Sequence, residues 1–179
     1  MRNGNFLGED KAVLDKARAL GISASSVKRI GANSGNEMFT ANLRIGSRVV
    51  GSVTSCNSGG EFKYEGDSVF DFLSIVETIR EEFPYFHFFG REVERSEDTI
   101  VSLLVDEADW RKKCNGKTVV LLSRGEPAAT HGNRVVLDDV AVYPLKYRPA
   151  LRWKIVEAIE RDNKGKYHTF EIVNERFWE

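Results

Sequence analysis

Side chains able to act as nucleophiles, metal ligands or proton carriers are few in this chain and lie far apart. The cysteines are Cys56 and Cys114, and the histidines are His87, His131 and His168. None stands in a Cys-x-x-Cys, His-x-x-His or His-Glu-x-x-His spacing, the local arrangements that hold zinc. Cys56 adjoins Asn57-Ser58-Gly59-Gly60, a Gly-rich turn whose backbone N–H groups can cradle a phosphate. A P-loop would end in Gly-Lys-Ser/Thr and open a helix, and a nucleophilic thiol would need a base near it; neither is legible here. A tight β-turn is the expected use. Asp106, Glu107 and Asp109 lie together, and Asp138-Asp139 follow an apolar strand. Paired carboxylates can hold a divalent ion or move protons. On a helix they equally make a solvated face, with Asp109 pairing Lys113 at i,i+4. The expectation is no catalytic centre, no metal and no cofactor.

Pro84-Tyr85-Phe86-His87-Phe88-Phe89-Gly90 is the most unusual stretch. Aromatic residues this dense are usually core, but when exposed they make a contact hot spot. Tyr85, Phe86, His87, Phe88 and Arg91 are therefore the candidate partner-binding residues. Stacking of single-stranded bases there is opposed by Glu92 and Glu94.

The elements that must position these residues follow from composition and periodicity. The 179 residues suffice for one core, and 41% hydrophobic with 30% charged residues is ordinary globular usage. Twenty-six basic residues against 27 acidic ones leave a formal charge of -1, without the basic excess of a typical nucleic-acid binder. No apolar run approaches a membrane span, and the first ten residues lack a signal peptide's apolar stretch. We expect a cytoplasmic protein with both thiols reduced and no membrane partner.

A helix is expected from Glu9 to Leu20, then strands at Val27–Ile30, Met38–Ile45 and Val49–Val53, with Phe39, Ala41, Leu43 and Ile45 facing one side. Gly46-Ser47 signals a two-residue II′ hairpin. Glu61–Tyr64 adds a strand, and Asp67 caps a helix that Pro84 ends. A helix over Glu97–Cys114, paired strands at Lys117–Ser123 and Arg134–Val142, a helix from Pro149 to Arg161 and a strand at Lys166–Val173 complete the order. Strands cluster instead of alternating with helices, so the expected class is α+β: a mainly antiparallel sheet with three or four packed helices. A single domain over 1–179 is expected, with a division near 94–98 as the alternative.

Two likenesses bear on function. Phe39 to Val53 (FTANLRIGSRVVGSV), followed by Asn57-Ser58-Gly59-Gly60, resembles a loose group of uncharacterised phage and mobile-element proteins, which also end in a helix, a strand and a pair like Asn174-Glu175. Ser47-Arg48 departs from the two lysines usual in that group. The resemblance implies an accessory protein that binds a host protein, such as an inhibitor of host defence of the anti-CRISPR kind. Separately, Ala17, Gly21 and Val27, with Leu20, Ile22 and Ile30, fit helix-turn-helix spacing. Under that alternative, residues 13–30 make a DNA-binding regulator with Lys28 and Arg29 at the duplex. A small hydrolase or nucleotide-binding protein, using Cys56, His168 or the carboxylates, is the third alternative. The leading expectation is a non-enzymatic binding or inhibitor protein.

Overall fold

The structure, a computed structural model, describes residues 8–30, 38–55, 61–88, 91–123, 139–163, 166–167 and 169–177. The class is α+β, with all its strand pairs antiparallel among the described residues. The chain groups into two compact units, Met1–Asp109 and Trp110–Glu179. The seam falls within a helix, C-terminal to the charged run at 94–98.

In the first unit a helix, α1 (Gly8–Ala19), leads into a sheet of β1 (Ile22–Ile30), β2 (Met38–Ile45), β3 (Arg48–Thr54) and β4 (Lys63–Glu65), in that spatial order. Helix α2 (Val69–Glu82), a hairpin of β5 (Tyr85–Phe88) and β6 (Arg91–Glu94), and α3 (Glu97–Cys114) follow. The alternation in β2 works as its sequence demands: Phe39, Ala41 and Leu43 are buried, while their neighbours are half-exposed. They meet Val13 and Ala17 of α1, Phe72 and Val76 of α2, and Ile100 and Leu104 of α3 in one core cluster. Gly46 takes φ +57° between paired Ile45 and Arg48, the two-residue turn its sequence calls for.

Ser23–Arg29 is strand and not a recognition helix, which corrects the helix-turn-helix alternative. The cause is the residue pattern beyond Gly21, where Ile22, Ala24 and Val27 are buried in a ladder with β2. The β1–β2 register shifts between Ser25 and Lys28, with Ser26 at φ 53°. Unbroken alternation would bury Ser26 and expose Val27. The bulge costs about 1 kcal/mol or more in backbone strain, against about 2 kcal/mol gained by burying Val27. It also brings Arg29 onto the face that carries Val27.

The cap of α2 differs too. Its N-cap is Ser68, without a side-chain hydrogen bond, and Asp67 does not cap it. The chain enters through Gly66, at φ +135°, whose carbonyl accepts from the Val69 N–H at 3.4 Å. A Cβ on Gly66 would lie 2.5 Å from Gly51 Cα and 2.8 Å from Val50 O, so β3 and this turn touch backbone to backbone. By contrast, Ser96 caps α3, its hydroxyl accepting from the Thr99 N–H at 3.2 Å.

The second unit is a sheet of β7 (Thr118–Ser123) flanked by β8 (Asp139–Tyr143) and β9 (Thr169–Ile172). A short 3-10 helix at Pro149–Leu151 leads into α4 (Arg152–Asn163), and a second, Val173–Phe177, follows β9. Val120, Leu122 and Ile172 bury against Ile155 and Ile159 of α4. On the other face Val119 and Leu121 pack with Val173, Trp110 and Phe177.

Candidate functional site

The aromatic segment forms a two-stranded ladder pairing Tyr85 with Glu94, Phe86 with Val93, His87 with Glu92 and Phe88 with Arg91. The pleat therefore sets Tyr85, His87, Glu92 and Glu94 on one face, and Phe86 with Val93 on the other. Tyr85 is 54% exposed and Val93 37%, and His87 and every residue of β6 are exposed. Phe86 is half-buried, with the Arg95 guanidinium 5.0 Å from its ring centre. The core reading of this segment thus fails for Tyr85 and His87, and two carboxylates share their face. Phe89 and Gly90 lie outside the described residues.

Arg95 anchors the hairpin's base. It is 1% exposed; its N–H donates to Pro84 O at 2.7 Å, its Nε to Tyr85 O at 3.3 Å and its Nη2 to Asp10 Oδ1 at 3.0 Å. Its Nη1 is buried without a hydrogen-bond partner among the described residues. Local sequence does not single out Arg95, because Asp10 lies 85 residues away along the chain.

The carboxylate cluster on α3 is occupied. Arg29 reaches Asp106 at 2.5 Å and Asp109 at 3.1 Å, and Arg18 reaches Glu107 at 2.9 Å. Glu107 is buried, Asp109 pairs with Arg29, and the Lys113 Nζ lies 4.5 Å from the Trp110 ring centre. Burial opposes the charge on both arginines, and the facing carboxylates outweigh it, so both guanidinium pKa values rise. Among the described residues, no group of three or more His, Cys, Asp or Glu is arranged to hold a metal ion. Lys28 is exposed, while Arg29, its supposed companion at a duplex, is held in the ion pairs with α3.

Tyr64 and Asp98 make a further tie: the Tyr64 hydroxyl donates to Asp98 Oδ1 at 2.6 Å, and the Phe62 N–H to Oδ2 at 2.9 Å. Burial, reinforced by Asp98, raises the Tyr64 pKa.

Cys56, Asn57, Ser58, Gly59, Gly60, His131, His168 and Asp138 lie outside the described residues; Asp139 begins β8. Cys114 is half-buried at the end of α3.

In the second unit, buried Asn174 accepts from the Val119 N–H at 2.8 Å and donates to Lys117 O at 2.8 Å. Its polar atoms are committed to the fold, not to a ligand. Tyr147 donates to Glu175 Oε1 at 2.8 Å, an oxygen that also accepts from Arg152 Nε at 2.6 Å. Tyr147 and Asn174 line a cleft of about 320 Å³, together with Arg111, Lys112, Asn115 and Lys146. Nothing in the local sequence pattern pointed to this cleft.

No helix among the described residues is long and apolar enough to cross a membrane. No protein-family model, curated protein or solved structure matches the chain.

Proposed function

We propose that this chain is a non-enzymatic binding protein that occupies a partner protein's surface through the β5–β6 hairpin. The exposure of that hairpin carries the reading: Tyr85 and Val93 stand in solvent on a ladder of only two strands, fixed at its base by a buried arginine. Exposed aromatic and aliphatic groups on a rigid ladder gain contact area with little ordering entropy. Glu92 and Glu94, on the face that carries Tyr85, favour a partner whose apolar patch has a basic rim. The likeness of Phe39–Val53 to phage and mobile-element accessory proteins supports a host protein as that partner, and blocking a host defence is a use such a surface serves. The acidic cluster, neutralised by Arg18 and Arg29, gives acid–base catalysis no support.

The experiment is capture from host-cell lysate by the wild-type chain and by a Tyr85→Ala/Val93→Glu double variant, with circular dichroism as the folding control. Retention of one dominant protein, lost in the folded double variant, is expected. Equal retention by both chains, or none by either, overturns the reading.

A further inference from the structure

The overall charge of -1 hides an uneven division. Met1–Asp109 holds 12 Lys and Arg against 18 Asp and Glu, a formal -6; Trp110–Glu179 holds 14 against 9, a formal +5. Within the second unit the excess is concentrated. Arg111, Lys112 and Lys113 close α3, and the run Lys146 to Lys154 (KYRPALRWK) contains four basic residues and no acid.

The fold brings parts of both runs together. The cleft gathers Arg111, Lys112 and Lys146 with the side of Asn115, and among the described residues no carboxylate stands in its lining. Lys112, Lys146 and Arg148 are exposed and have no acidic partner among the described residues. Beside the cleft, Tyr147 and Arg152 share one Glu175 oxygen, which sets the start of α4 next to the cleft wall. The next residue, Trp153, is 61% exposed, with Lys154 Nζ 5.3 Å from its ring centre. An indole in solvent among cations is costly to display and gives the fold little.

Exposed cations gathered at a cleft and an exposed indole are the two components that nonspecific single-strand binders combine: cations track the phosphates, and the ring stacks on a base. A duplex would use the cations and leave the indole idle, since its bases are already stacked. We infer that Trp110–Glu179 binds single-stranded nucleic acid, its backbone phosphates held at Arg111, Lys112 and Lys146 and a base stacked on Trp153. This site is separate from the hairpin and does not rest on the protein-binding reading.

The test is fluorescence anisotropy of labelled dT20 with the full chain across a salt series, followed in parallel by tryptophan emission. All three tryptophans, Trp110, Trp153 and Trp178, belong to this unit. The expected result is saturable binding with emission quenching, and a slope of about -2 in log affinity against log salt for three phosphate contacts. Lys112→Glu/Lys146→Glu weakens binding at least roughly tenfold and flattens that slope by about 1.4. Trp153→Ala weakens dT20 about tenfold and removes most of the quenching, while leaving circular dichroism unchanged. Absence of binding at low salt overturns the proposal. So does affinity for heparin or duplex equal to that for dT20 with Trp153→Ala neutral, which would mark a general polyanion surface. Undiminished binding by the folded double-lysine variant overturns the cleft as its seat.

Discussion

In Met1–Asp109 the cations Lys11, Lys16, Arg18, Arg29, Arg80 and Arg95 each sit in an ion pair. In Trp110–Glu179, Lys112, Lys117, Lys146 and Arg148 have no carboxylate partner among the described residues. Three of the pairs in the first unit, those of Arg18, Arg29 and Arg95, join elements far apart in sequence and are partly or wholly buried. Removing one member of such a pair strands the other, so these charges are structural. Exposed cations with no partner contribute little to stability and stay available to an anion. Long-range, partly buried ion pairs thus mark the first unit, although exposed Lys28, Arg48, Lys63 and Arg91 have no carboxylate partner there among the described residues. In the second unit the pairs of Arg152 and Arg161 are largely exposed, and Lys112 and Lys146 have none among the described residues.

That contrast can be broken at several points. The largest effect is expected where the first unit closes backbone on backbone. Gly66→Ala places a Cβ against Gly51 and Val50 at a positive φ, and should destabilise by about 3 kcal/mol or more in urea unfolding followed by circular dichroism. A loss under about 1 kcal/mol would show that the turn relaxes. Arg95→Met should cost roughly 2–4 kcal/mol in the same assay, since it removes the ties to Asp10 and Tyr85 O. A neutral result would make this arginine dispensable and the hairpin unanchored.

Tyr147→Phe, in the second unit, should cost about 1 kcal/mol near neutral pH through loss of one hydrogen bond. Burial, with the hydrogen bond and charge of Glu175 adding and Arg152 opposing, pushes the Tyr147 pKa up to about 12. An unfolded tyrosine titrates near 10. Because the folded value is the higher one, the neutral phenol's contribution is complete below about pH 10 and is lost as pH rises through about 12. Absorbance at 295 nm should show a late tyrosinate step that Tyr147→Phe deletes. The smallest effect belongs to Lys112→Gln/Lys146→Gln, expected within about 0.5 kcal/mol of wild type. A larger loss would mean these lysines are structural after all.

Much of the fold was legible in local pattern. Strict alternation in Phe39, Ala41 and Leu43 identified β2, and Gly46-Ser47 its turn, because both depend on neighbours in sequence. The helix-turn-helix spacing misled, since Ile22 and Val27 satisfy that pattern and a bulged strand equally well. Only the bulge at Ser25–Lys28, fixed by pairing with β2, decides between them. The structural roles of Arg18, Arg29 and Arg95 were illegible because the carboxylates that tie them across the fold, Glu107, Asp106 and Asp10, lie at least 77 residues away. The exposure of Tyr85 was equally hidden, as aromatic density reads as core until the packing is known. The basic cleft escaped for a further reason: the chain's total charge averages an acidic unit with a basic one.

The most direct measurement is an amide ¹H–¹⁵N titration of the full chain with dT20 at low salt. Shifts concentrated at Arg111–Asn115 and Lys146–Lys154 are expected, with Ile22–Glu65 unmoved. Shifts centred on Lys28 and Arg29, or none anywhere, would contradict it.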